Sequence, residues 1–110
     1  MPLSARQRKI NARRSRHNTH LKQAYGITID DYDKLFAAQG GKCKICKGGT
    51  TKNFLAVDHN HKNGKVRGLL CGSCNGGLAR FRDDIARLRA AVRYMKDDGA
   101  TVEAILNEEA

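Results

Sequence analysis

Large aliphatic side chains are spread unevenly along this chain of 110 residues. In the first 25 positions they are Leu3, Ile10 and Leu21, too sparse to make a buried face. That segment reads as a basic amino-terminal arm over residues 1–25, helical or disordered when free and able to order on a phosphate backbone. From Thr28 the pattern changes. Thr28 with Asp31 three residues on has the form of a capping box, and Ile29, Tyr32, Leu35, Phe36 and Gln39 then follow helical spacing until Gly40-Gly41 stops it. Ile29, Tyr32, Leu35 and Phe36 are expected to face a core.

Beyond the glycines the period becomes that of strands. Phe54 to Val57 and Val66 to Leu70 predict two short strands, with a turn over His61 to Lys65. A helix is expected from Cys71 to about Arg82. Another runs from the acidic start Asp83-Asp84 through Ile85, Leu88, Val92 and Met95 to Gly99, and Val102, Ile105 and Leu106 suggest a last short one. There are no repeats and no proline after Pro2. The pattern predicts a small α+β domain over residues 26–110 behind the arm.

Composition shows why such a domain would need help. Hydrophobic residues make up 40%, aromatics only 5%, and tryptophan is absent, so the core is thin and calls for a staple. Cys43, Cys46, Cys71 and Cys74 supply one in two C-x-x-C pairs. The amino terminus shows no secretory signal and nothing later approaches a membrane span, so a cytoplasmic, non-secreted protein without a membrane partner is expected. In a reducing compartment, paired C-x-x-C units favour zinc over disulfides.

The formal charge is +10, which points to a polyanionic partner. Its distribution is more informative. Up to Ile29 there are seven bases (Arg6, Arg8, Lys9, Arg13, Arg14, Arg16 and Lys22) and no acid. Between Cys43 and Arg82 the only acid is Asp58, among Lys44, Lys47, Lys52, Lys62, Lys65, Arg67, Arg80 and Arg82. From Asp83 onward acids outnumber bases. The positive field surrounds residues 58–75, DHNHKNGKVRGLLCGSCN, where metal-capable side chains crowd together.

Four thiolates close a tetrahedral zinc site and leave His59 and His61 free. A hairpin between Cys46 and Cys71 would return the second knuckle to the first. A rival Cys2His2 set would take Cys43, Cys46, His59 and His61, but H-x-H is shorter than the finger spacing and strands Cys71 and Cys74. Two histidines at i and i+2 point the same way from an extended segment, with Asp58 just before them. Beside a phosphate backbone, neutral histidine suits the deprotonation of water, and Asp58 and Asn75 are oxygen donors for a hard Mg2+. Asn75 directly follows Cys74, so a zinc that clamps the helix start also fixes where Asn75 points.

C-x-x-C, then DHNH, then GKVRGLLCGSCN resembles the recombination endonuclease VII branch of the HNH, or His-Me finger, nucleases, and YGITIDDYDKLFAAQGGKC is similar to the segment before the first knuckle in many phage-encoded members. The resemblance covers about residues 20 to 97. It implies a ββα-metal catalytic unit on a treble-clef zinc scaffold, zinc on Cys43, Cys46, Cys71 and Cys74, and Mg2+ or Mn2+ on Asp58 and Asn75. His59 would then be the general base, and His61 would contact the scissile phosphate or assist the leaving group. The best-studied phage junction resolvase of the family has glutamate three residues after the asparagine, where this chain has Leu78, so more water is implied in the metal shell.

The reading that follows is a divalent-metal-dependent DNA endonuclease, expected to be phage-encoded, that nicks as a monomer or cuts both strands as a homodimer. Arg67, Arg13, Arg14 and Arg16 are its candidate phosphate contacts. The alternatives are a non-catalytic zinc module that binds nucleic acid and an accessory protein of a phage particle. Neither has a use for Asp58, His59 and Asn75 together.

Overall fold

The structure is a computed structural model that describes residues 2–49 and 54–108. Its elements are α1 (Ala5–Tyr25), α2 (Ile29–Ala38), β1 (Ala56–His59), β2 (Val66–Leu70), α3 (Gly72–Arg80), α4 (Ile85–Asp97) and α5 (Ala100–Asn107). They form two compact units, residues 1–75 and 76–110, and the boundary falls within α3. Among the described residues no helix is long and apolar enough to cross a membrane.

The basic segment is a single long helix. Arginine, lysine, glutamine and alanine are good helix formers, and Ser4 caps the start by accepting from the Gln7 N–H at 3.1 Å. Gly26 ends it in the left-handed conformation, φ 71°, and its N–H returns to the Lys22 carbonyl. Propensity alone does not hold so polar a helix in place; tertiary contacts at its C-terminal half do. Leu21 is 1% exposed, although it stands alone in the hydrophobic pattern. Asn18 Oδ1 accepts from the Ile29 N–H at 2.8 Å, and Arg14 pairs with Asp33 of α2 at 2.9 Å.

The start of α2 carries both halves of the capping box: Asp31 N–H donates to Thr28 Oγ1 at 3.1 Å, and Thr28 N–H donates to Asp31 Oδ2 at 2.9 Å. Donation from the Thr28 backbone N–H first, and from the Thr28 side chain second, holds the Asp31 carboxyl below its usual range. Tyr32 is buried and fixes the entry to β1. Its hydroxyl donates to the Leu55 carbonyl at 2.6 Å and accepts from the Leu55 N–H at 3.1 Å, while its ring packs on Phe54, Phe36 and His17. The first strand therefore begins at Ala56, two residues later than the sequence suggests, because Phe54 and Leu55 are occupied by Tyr32.

Strands β1 and β2 form an antiparallel hairpin in which Ala56 faces Leu70, Val57 faces Leu69 and Asp58 faces Gly68. The register then shifts, and His59 faces Val66. Arg67 is thus the extra residue of a bulge opposite Asp58 and His59. Asn60 shapes the connecting turn, accepting from the Lys62 N–H through Oδ1 at 2.8 Å and from the Gly64 N–H through its carbonyl at 2.7 Å. The small core comprises Leu21, Tyr32, Cys43, Leu55, Val57, Leu69 and Leu70.

In the second unit, Asp84 caps α4 by accepting from the Ala86 and Arg87 N–H groups. Asp98 and Gly99, both left-handed, separate α4 from α5, which Thr101 ties to Asp97 through a 2.7 Å hydrogen bond. The helical spacing is as the sequence predicts, but Ile85, Val92, Met95, Val102, Ile105 and Leu106 are more than half exposed.

Candidate metal and catalytic centre

The sulfur atoms of Cys43, Cys46, Cys71 and Cys74 all lie within 4.8 Å of one another, and Cys46 Sγ is 3.9 Å from Cys71 Sγ. Tetrahedral zinc–thiolate bonds of about 2.3 Å would separate the sulfurs by about 3.8 Å, so the donor set fits such an ion in type and spacing. Local chain geometry makes the cluster. Lys47 turns left-handed at φ 62°, Cys43 N–H donates to the Gly48 carbonyl at 2.9 Å, and Gly48 N–H points at Cys46 Sγ at 3.4 Å. On the other side Cys71 stands where a cap would, its sulfur accepting from the Cys74 N–H at 3.4 Å at the start of α3.

Gln39 fastens the knuckle to the hairpin. Its Nε2 donates to the carbonyls of Lys42 and Leu69 at 2.8 and 2.9 Å, and its Oε1 accepts from the Leu69 N–H at 3.0 Å. The residue continues the helical spacing of α2 in the sequence, yet it acts as a substitute strand edge. Without a cation the cluster resists full ionisation. Burial works to raise the Cys43 thiol, but N–H donation from Cys71, Cys46 and Ile45 outweighs it and brings the thiol down to about 6. Burial, with the neighbouring sulfurs, pushes Cys74 up to about 12. Four thiolates side by side require a positive partner.

Asp58 and His59 stand outside this cluster at the end of β1. Asp58 is 8% exposed, and Arg67 holds both carboxylate oxygens, Nε to Oδ2 at 2.7 Å and an Nη to Oδ1 at 3.1 Å. The bulge brings the guanidinium there. The His59 and His61 rings lie 4.5 Å apart, so the H-x-H pair does share one side of the chain. His59 is half-buried and His61 exposed. Asn75 sits in the first turn of α3, its N–H bonded to the Cys71 carbonyl at 3.0 Å. Among the described residues its side-chain amide has no hydrogen-bond partner. Asp58 and Asn75 are hard oxygen donors of the kind a divalent cation takes, though the Asp58 carboxylate is shared with Arg67.

The candidate phosphate contacts divide in two. Arg13 and Arg16 lie exposed on α1, whereas Arg14 pairs with Asp33 and Arg67 pairs with Asp58. One neighbour of the centre belongs to no metal-capable motif of the sequence. Tyr25, at the end of α1, lies against His59 with ring centroids 5.3 Å apart. In the sequence Tyr25 only opens the YGITIDDYDKLFAAQGGKC stretch, with a glycine after it that can end a helix.

Comparison with known proteins adds the lineage. The chain resembles the gene 59 proteins of Mycobacterium phage L5 (44% identity over 79 residues, 70% of this chain and 48% of that protein) and Mycobacterium phage D29 (42% over 80 residues, 71% and 48%). It spans about half the length of these curated relatives. A solved structure, that of the ββα-Me type II restriction endonuclease Hpy99I, matches 69% of this chain and 46% of its own at 30% identity, with a TM-score of 0.48. The family model for recombination endonuclease VII matches residues 18–97, a span that holds α2, the hairpin, all four cysteines and the DHNH segment. This chain belongs to the recombination endonuclease VII family.

Proposed function

We propose that this chain is a divalent-metal-dependent endonuclease that hydrolyses DNA phosphodiester bonds. The observation that carries the reading is the division of the site. Four cysteines cluster on their own, and Asp58, His59 and His61 have no part in that cluster, the two imidazoles lying 4.5 Å apart. Family membership and the basic surface of α1 support the same reading.

In this reading Cys43, Cys46, Cys71 and Cys74 would hold a zinc ion that serves the fold, and Asp58 and Asn75 would hold Mg2+ or Mn2+. The bound divalent cation supplies positive charge for the phosphate's non-bridging and leaving oxygens. A neutral His59 takes a proton from water, whose oxygen bonds to phosphorus as the phosphorus–oxygen bond to the leaving group breaks. His61 contacts the scissile phosphate or returns a proton to the departing oxygen. Arg67 holds the Asp58 carboxylate in place. Exposed Arg13 and Arg16 bind flanking phosphates, and Arg14 joins them by exchanging its half-exposed pair with Asp33, a small loss at the surface. One such site cuts one strand, so a monomer nicks, and a homodimer would cut both.

The test is incubation of purified protein with supercoiled plasmid and Mg2+, with and without EDTA. Conversion to the open-circular form that EDTA abolishes is the expected result. Tight DNA binding without cleavage in Mg2+ or Mn2+ would make the chain a binding module instead.

A further inference from the structure

Four rings form a row across the candidate centre. His20 meets Tyr25 edge-on at 6.1 Å, Tyr25 lies against His59 at 5.3 Å with a tilt of 55°, and His59 lies against His61 at 4.5 Å. Among the described residues, no hydrogen bond or ion pair holds the His59 imidazole. It stands on the last residue of a short strand, beside a bulge, where the ladder does little to fix a side chain. Its orientation therefore depends on the rings packed against it. Of the two, His61 lies exposed in a turn, whereas Tyr25 is half-buried at the end of a helix.

Tyr25 is held from both sides. Leu21, one turn earlier, is buried in the core, and Asn18 joins the same helix to the first N–H of α2. After Tyr25 the left-handed Gly26 closes the helix, a conformation in which a side chain would be strained. The ring that faces His59 thus belongs to an element with little freedom.

We propose that Tyr25 is a positioning residue for His59: its ring sets the orientation of the imidazole that removes the proton from water. The inference rests on the reading of His59 as general base. A base must stand within hydrogen-bond reach of its proton, and a misplacement of about 1 Å costs on the order of 100-fold in rate. The ring, not the hydroxyl, does this work.

Steady-state cleavage of supercoiled plasmid in Mg2+ by the full chain tests it, comparing the parent with Tyr25→Ala, Tyr25→Phe and His59→Ala, with zinc content and thermal midpoint measured for each. Tyr25→Ala should lose about 10- to 100-fold in kcat with KM within about twofold of the parent, and Tyr25→Phe should keep at least about half of the parent kcat. If Tyr25→Ala does not fold, Tyr25→Leu, which fills much of the space without a flat face, carries the same expectation. Parent-like kcat in the folded variant, or a rise in KM alone, overturns the inference; so does a Tyr25→Phe as slow as Tyr25→Ala. An inactive His59→Ala beside a fully active Tyr25→Ala removes only the positioning role. A His59→Ala that cuts like the parent, or a parent that cuts nothing, removes the general-base reading and this inference with it.

Discussion

Arg67 grips both carboxylate oxygens of Asp58, at 2.7 and 3.1 Å, from the extra position of a β-bulge. An arginine side chain 36% exposed is paired here with a carboxylate side chain only 10% exposed. The pair is neither a free surface bridge, worth little, nor a fully buried one.

Removing Arg67 leaves a largely desolvated Asp58 carboxylate without its two-pronged partner. Arg67→Ala should lower stability by about 1–2 kcal/mol, below the cost of breaking a fully buried pair because solvent reaches the guanidinium. Arg67→Lys should recover only part of that, since an ammonium cannot reproduce the two-pronged contact. Urea unfolding of the three proteins checks both, and equal midpoints would show the pair to be energetically idle.

The bulge itself is not legible in the sequence. The strands of GKVRGLL and FLAV announce themselves by apolar runs, but register depends on which backbone groups Tyr32 and Gln39 occupy, and those are tertiary bonds. The Thr28–Asp31 capping box and the two C-x-x-C knuckles were legible because their partners lie three residues apart. Leu21 and Tyr25 were not. A single leucine on a polar helix makes no period, and Tyr25 and His59 are brought together only by the fold. The same holds for the partners of Arg14 and Arg67: the charge pattern offers both as candidate phosphate contacts, and their pairing with Asp33 and Asp58 comes from the fold alone.

Buried Leu21 separates two roles of the basic helix. Leu21→Ala should cost about 2–5 kcal/mol, as truncation of a fully buried leucine does. Changing exposed Arg6, Arg8, Lys9, Arg13 and Arg16 to glutamine should leave the melting temperature nearly unchanged. It should flatten the dependence of DNA affinity on salt, by a slope of about 0.9 for each phosphate no longer neutralised. Binding titrations across a salt series read the slope, and an unchanged slope would mean that these residues touch no phosphate.

The cysteine cluster should hold one zinc per chain by elemental analysis, and Cys71→Ser should unfold the first unit or leave it aggregated. Metal binding needs all four sulfurs as thiolates. Burial and the neighbouring sulfurs push the Cys74 thiol up to about 12, so a cation that binds there must displace its proton. Binding therefore releases protons, and falling pH should strip the zinc and the fold together. A chelator indicator followed during acid titration reports the release. A folded, fully active Cys71→Ser protein would contradict the structural role.

Asp58 and His59 are adjacent but should fail differently. Asp58→Ala acts through metal affinity, so raising Mn2+ should restore part of the cleavage. Extra metal does not replace a missing base, and His59→Ala should show no such recovery. Nicking rate against Mn2+ concentration for the two variants distinguishes them, and equal recovery in both would place His59 among the metal ligands.

Whether His59 does chemistry and takes no part in the zinc cluster can be read from one rate. His59→Ala should keep its zinc, its melting temperature and nearly all its affinity for DNA, while its initial nicking rate in Mg2+ falls by about 10²–10⁴-fold, the usual contribution of a general base. A His59→Ala protein that binds DNA and nicks it at the parent rate would contradict the account.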